Sequence, residues 1–193
     1  MQQSKIENPY ENAKSDRLQQ GDIYRDVSLV EWAHKENDAV VTKLRELPHV
    51  VVLSQDCDLD QDFRDRADSA SGKHDKYLQA VLLCPAYQST VFKSGEHLQE
   101  LGLAMQVWGG PDWKRIIQNQ HYRYHYLEAF PDLQIPELII DFKHYITAPR
   151  DVLYRPNFKI NYLGTISELY RENLSGRFAY YLSRIALPEP TDS

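Results

Sequence analysis

The sequence predicts a mainly β protein with α additions: a small, strongly bent barrel with helices packed on its outside. Three observations predict it. Segments that read as strands follow one another without alternating helices, which does not fit a doubly wound parallel sheet. One of them, "HVVVLSQ" (residues 49–55), carries a β-branched run too continuous to be half exposed, which places it centrally. A helical pattern interrupts the strands once, and another closes the chain.

The elements follow in order. Residues 1–18 are polar and expected to be a flexible or loosely docked segment; 19–188 are expected to form one barrel domain. "QQGDIYRDVSLV" sets a Gly-Asp turn before an alternating first strand, and "DAVVTKL" reads as a second. "HVVVLSQ" is the third. Residues 58–76, rich in Asp, Arg, Ser and Gly, read as a long mobile loop, and "YLQAVLLCPAY" as another central strand closed by Pro85. Residues 91–120 are expected to be a helical insertion. There "GEHLQELGLAMQVW" places Leu98, Leu101, Met105 and Trp108 at the spacing of a helix face. "GGPD" breaks that pattern, and "PDWKRIIQNQ" begins a second short helix with Pro111 near its start.

"HYRYHYLE" then alternates strictly, with His121, Arg123 and His125 on one face and Tyr122, Tyr124 and Tyr126 on the other. "ELIIDFKHYIT" is a further strand, and "FKINYLGTI" a short strand or extended connection. In the closing helix Thr165 and Glu168 have capping-box spacing. Leu169, Tyr170, Leu174, Phe178, Leu182 and Ile185 make its apolar stripe, and Pro188 ends it. Gly176 costs this helix about 1 kcal/mol relative to Ala, so the stripe must be docked.

Composition bounds the function. The 193 residues are 42% hydrophobic and 26% charged, ordinary for a globular domain. No stretch approaches the roughly 20 apolar residues of a membrane span, and the polar N-terminus lacks a signal-peptide core. A cytoplasmic location, with Cys57 and Cys84 as free thiols, is therefore expected. The net charge of −6 argues against indiscriminate nucleic-acid binding. A local basic patch, 112–126 with Lys114, Arg115 and Arg123, is compatible with it.

The order "QGDIYRDV", "HVVVLSQD", "AVLLCPAYQS", "IIDFKHYITAPRDVL" and a closing helix resembles the MazF/PemK toxin family. The resemblance covers about residues 20–90 and 137–186, with 91–136 as an insertion. It implies an SH3-like barrel, a homodimer, and RNA cleavage without metal by an Arg and a Thr or Ser. The motif residues depart from that pattern. Pro48 and His49 stand where Arg-Pro is expected, with Arg45 the nearest arginine. Tyr87 holds the threonine position after Pro85, and Ser89 and Thr90 lie just beyond.

Three groups of residues are candidates for chemistry. Asp56, Cys57 and Asp58 sit where the central strand ends, and alternation puts both aspartates on one face. They could hold a divalent cation, divide into an acid and a base, or flank a nucleophilic Cys57. They would equally cap a turn, with Cys57 filling core space. His49 or His74 could serve as general base beside them, or be ordinary surface histidines. The row His121, Arg123, His125, with Arg45, could bind an RNA backbone while neighbouring tyrosines stack bases; the plainer alternative is an exposed edge strand. Asp141, Lys143, His144 and Arg150 surround another strand end, where Asp141 and Lys143 could pair across strands. No Cys/His spacing supports zinc, and no cofactor or metal is expected.

Three functions stay open at this level. The favoured one is a catalytically degenerate barrel that binds RNA or a protein partner, such as an antitoxin or a phage-defence component. The second is an active endoribonuclease with a rearranged site. The third is a metal-dependent phosphodiesterase using Asp56, Asp58 and His74.

Overall fold

The computed structural model describes residues 8–68 and 74–184. Its centre is one antiparallel sheet curled into a half-barrel, carrying short helices and a longer C-terminal one. The strands are β1 (Tyr10–Glu11), β2 (Asp22–Glu36), β3 (Ala39–Val52), β4 (Ala80–Gln88), β5 (Tyr124–Leu127), β6 (Leu138–Asp141), β7 (Ile146–Pro149) and β8 (Tyr162–Ile166). They lie in the order β1-β8-β2-β3-β4-β6-β5, with β7 also on β4. The helices are α1 (Asp56–Ala67), α2 (Ser89–Lys93), α3 (Gly110–Ile117), α4 (Arg150–Leu153), α5 (Pro156–Lys159) and α6 (Glu168–Leu182).

The valine run behaves as its composition requires. Val50, Val51 and Val52 are all fully buried because both faces of β3 are covered. Val51 joins Ile23, Cys84, Ile140, Phe142 and, from α6, Leu174 and Phe178. Val50 and Val52 join Val27, Leu47, Leu59 of α1, Leu153 of α4 and Phe158 of α5. A third cluster packs Phe92, Leu98, Trp108 and Ile116 on Tyr87, Tyr124 and Ile139 at the end of the sheet.

The strand boundaries differ from those expected. The second and third predicted strands are one, β3, because nothing between Leu44 and His49 breaks the ladder with β2. A left-handed Asn37–Asp38 pair (φ +46° and +64°) closes the β2–β3 hairpin. Past Leu29 and Leu47 this hairpin leaves the body, and every side chain from 30 to 44 is exposed. β4 does not stop at Pro85, which lies opposite Val50. At that residue the other edge of β4 changes partner from β7 to β6, so the missing N–H falls at the switch. The predicted strand 137–147 is split into β6 and β7 by a 3₁₀ turn, Phe142–His144.

Three helical expectations are also corrected. Residues 58–76 do not form one long loop: 56–67 are α1, bolted down by Leu59 and by the buried Asp62, which accepts from Arg66, Arg150 and the Leu78 amide. Residues 95–108 do not form a helix. Gly95 and Gly102 turn left-handed (φ +78° and +71°), and only a 3₁₀ turn, Gln99–Leu101, lies between them. A Cβ on Gly95 would stand 2.5 Å from the Met105 carbonyl oxygen, so the segment folds back on itself there. Leu98 and Trp108 still reach the core from this folded loop. The capping box is absent: Ser167 is the N-cap of α6, and Thr165 lies within β8 with its hydroxyl donating to Asp22 at 2.6 Å. Of the apolar stripe, Leu174 and Phe178 are buried while Leu169, Tyr170 and Leu182 are exposed; Ile185 and Pro188 lie outside the described residues. The short helix at Pro111 is present as α3.

The described part of the N-terminal segment meets the body at Tyr10 and Leu18. β1 pairs with β8, and Leu18 is fully buried. Among the described residues no helix is long and apolar enough to cross a membrane.

Candidate functional site

A groove of about 540 Å³ opens where the β2–β3 arm leaves the body. β3 contributes Arg45 to it, the end of β4 contributes Tyr87, and the folded-back loop after α2 contributes His97. The local sequence explains the convergence. Gln88 and Ser89 carry the chain from β4 into α2, and Gly95 turns it back so that His97 stacks on Phe92 and meets Tyr87 at 4.8 Å between ring centroids.

These groups are short of partners. The Tyr87 hydroxyl and both His97 nitrogens are closed off from solvent and make no hydrogen bond of good geometry. Burying a polar group without a partner costs about 1–3 kcal/mol, so such groups mark sites that a ligand can complete. Burial pushes the His97 pKa down to about 4, against the pull of Asp141, so its imidazole is neutral near pH 7. Burial also pushes the Tyr87 phenol up, and the nearby Arg45 guanidinium works against that.

Behind the groove stands a second polar layer. Asp141, fully buried at the end of β6, accepts from Arg123 Nε at 2.7 Å and Nη2 at 2.6 Å, and from the Lys143 amide at 3.0 Å. Its side-chain partner is thus Arg123 rather than Lys143. His144 Nδ1 lies 3.2 Å from Asp141 Oδ2 without the alignment of a hydrogen bond. Burial lowers the His144 pKa, Asp141 raises it, and Arg123 and Arg45 lower it again. Arg45, Tyr87, His97, His144, Asp141 and Arg123 thus form one electrostatically connected set.

Comparison of the chain with protein-family models and with curated proteins gives no match.

The acidic pair is placed differently from the expectation. Asp56 and Asp58 lie in the first turn of α1, not at a strand end, and residues two apart on a helix do not share a face. Both suit the positive end of the helix dipole. Asp56 is held by Arg17, Nη1 to Oδ1 at 2.9 Å and Nη2 to Oδ2 at 3.0 Å. Partial burial pushes its carboxyl up, but Arg17 and the Gln20 amide outweigh this and leave it below its ordinary value. Cys57 and Asp58 are exposed, and Cys57 Sγ approaches Gln55 Oε1 at 3.6 Å. The His74 ring lies tilted against Tyr77, whose hydroxyl donates to the Asp65 carbonyl near the far end of α1. Twelve residues make this helix about 18 Å long, so His74 and Asp56 belong to opposite ends of it. Among the described residues no group of three or more His, Cys, Asp or Glu is placed to hold a metal ion.

The predicted His–Arg row is also dispersed. β5 begins only at Tyr124, with α6 over one face and the insertion over the other. His125 is buried, and its Nδ1 accepts from Arg177 Nε at 3.0 Å. Arg123 turns inward to Asp141, and His121 stacks on Tyr122 and Tyr124. His49 is buried in β3 with Nδ1 unpartnered. Arg45 alone of the predicted nucleic-acid contacts reaches the groove. Tyr87 carried a sequence signal, since it replaces a threonine in the resemblance. His97 carried none beyond its chemistry.

Proposed function

We propose that the chain is a MazF/PemK-like barrel component that binds the phosphate backbone of single-stranded RNA in the groove beside Arg45. One observation carries this reading: a guanidinium, a buried phenol and a neutral imidazole line one cleft, and the last two make no hydrogen bond of good geometry within the fold. Arg45 supplies charge and a planar donor fork for a phosphodiester; Tyr87 and His97, whose polar atoms are closed off in the free chain, each supply a donor once the groove opens around the strand. The strand order supports the family, and the groove lies where β3 and β4 carry that family's motif segments. On this reading the partner system is a toxin–antitoxin or phage-defence locus, and the protein works as an RNA-binding member of it.

Fluorescence anisotropy with labelled single-stranded RNA tests the proposal. Binding should weaken as salt rises and fall about tenfold or more in Arg45→Ala. Salt-insensitive binding, or binding untouched by Arg45→Ala and His97→Ala, overturns it.

The His97 ring beside Arg45 in the groove supports a second reading, endoribonuclease activity. A neutral imidazole can take the proton of a ribose 2′-hydroxyl as that oxygen attacks the adjacent phosphorus. The 5′-oxygen then leaves with a proton from water, giving a 2′,3′-cyclic phosphate, while Arg45 stabilises the charge on the phosphorane oxygens. RNA cleavage in EDTA that His97→Ala abolishes would establish it.

A further inference from the structure

A second cavity, of about 630 Å³, shares no lining residue with the groove. It lies between α3, the turn before β5, and α6. Arg115 of α3 and Arg177 of α6 line it, with Asn119, Tyr122, Asn173 and Tyr180. Arg184, just past α6, lays its guanidinium carbon 3.6 Å from the Tyr122 ring centroid. No carboxylate lines the cavity, in a chain with 28 acidic residues against 22 Lys and Arg. Among the described residues none of these three arginines has a carboxylate at ion-pair distance.

Arg177 shows the imbalance most clearly. Its guanidinium donates to His125 Nδ1 at 3.0 Å, to the His121 and Tyr124 carbonyls at 2.8 Å each, and to the Asn119 carbonyl. Those are dipoles, not counter-charges, and half-burial depresses its proton affinity with nothing set against it. An anion in the adjoining space would supply the missing charge. The rim adds flat rings: Tyr180 is 64% exposed and Tyr122 45%. Gly176 keeps the floor open, since a Cβ there meets no atom within 4 Å.

We propose that this cavity binds a nucleoside phosphate, with its phosphate between Arg115 and Arg177 and its base against Tyr180. The ligand is either a free nucleotide or one unit of a single-stranded RNA; the chemistry that recognises the two is the same. The site does not depend on the groove reading, because Arg45 takes no part in it.

Isothermal titration of the full chain with AMP, with and without saturating single-stranded RNA, tests this. AMP should bind, and Arg115→Glu should weaken it about tenfold or more. Gly176→Leu should abolish binding by filling the floor. It should leave the thermal midpoint unchanged or raised, because a mid-helix Gly is replaced by a better helix former. Arg45→Ala should leave AMP binding intact. Competition by the RNA marks a strand unit as the natural ligand, and persistence beside RNA marks a free nucleotide. Four outcomes overturn the proposal: no AMP binding, binding unchanged in both Arg115→Glu and Gly176→Leu, binding lost in Arg45→Ala, or inorganic phosphate binding as tightly as AMP.

Discussion

Arg123 grips both oxygens of the Asp141 carboxylate, at 2.7 and 2.6 Å, where the aspartate is wholly buried and the arginine mostly so. The pair ties the end of β6 to the start of β5 and sets the wall behind the groove. Replacing Asp141 with Ala leaves a guanidinium without its counter-charge. The expected loss is about 3–5 kcal/mol in chemical denaturation. A loss below about 1 kcal/mol would mean that solvent already screens the pair.

Tyr87→Phe should behave in the opposite way. It removes a buried hydroxyl that has no partner, so stability should hold or rise by about 1 kcal/mol. Binding of labelled RNA should weaken in the same variant. A variant that is both less stable and equally competent would show that the hydroxyl is satisfied within the fold.

Stability should depend on pH through groups with opposing signs. His97 and His125 have folded pKa values of about 4 and about 3, below their ordinary 6.5. Between those limits the unfolded chain holds protons that the folded one refuses, so their contribution is lost as pH falls from 6.5. Asp22 runs the other way. Burial raises it from 3.8 to about 6, despite hydrogen bonds from Thr165, Gln19 and Tyr24, so its contribution is present at low pH and lost as pH rises toward 6. Two histidines outweigh one aspartate, and denaturation midpoints should fall from pH 6.5 to pH 4. His125→Asn, whose Oδ1 can still accept from Arg177, should flatten that fall; Asp22→Asn should steepen it.

The two cysteines should separate cleanly in alkylation. Cys57 is exposed, whereas Cys84 is buried, its thiol pushed up by desolvation and by Asp141, with Sγ 3.1 Å from the Asp141 carbonyl. Iodoacetamide should label Cys57 in the native protein and Cys84 only after unfolding, as mass spectrometry would show. RNA binding should survive Cys57 labelling, because Cys57 does not line the groove. Loss of binding on labelling would return the "DCD" stretch to the centre of the function.

Periodicity carried the sheet and its central strand, because Val50 to Val52 can be buried only with cover on both faces. It misplaced the acidic pair because "DCDLDQDF" is polar enough to pass for a loop. What makes it helical is tertiary: Leu59 sinks into the core, and Arg150 reaches Asp62 from outside the helix, beside the helix's own i,i+4 pair Asp62–Arg66. The stretch from Leu98 to Trp108 has helical spacing, yet the left-handed turns at Gly95 and Gly102 decide its path. The candidate site was legible only through Arg45 and the odd Tyr87. His97 reaches them through a fold-back that spacing does not encode.

The β2–β3 arm is wet on both faces from residue 30 to 44, so its order comes from ladder hydrogen bonds and one tight turn rather than from burial. Its backbone amides should therefore surrender to deuterium progressively, those near Asn37 first and those beside Leu47 last, a fraying gradient superimposed on a slow-exchanging body. The groove sits at the root of that gradient. A strand of RNA lodged against Arg45 would brace the ribbon at its hinge and slow exchange outward along it, a signature visible without any labelled ligand.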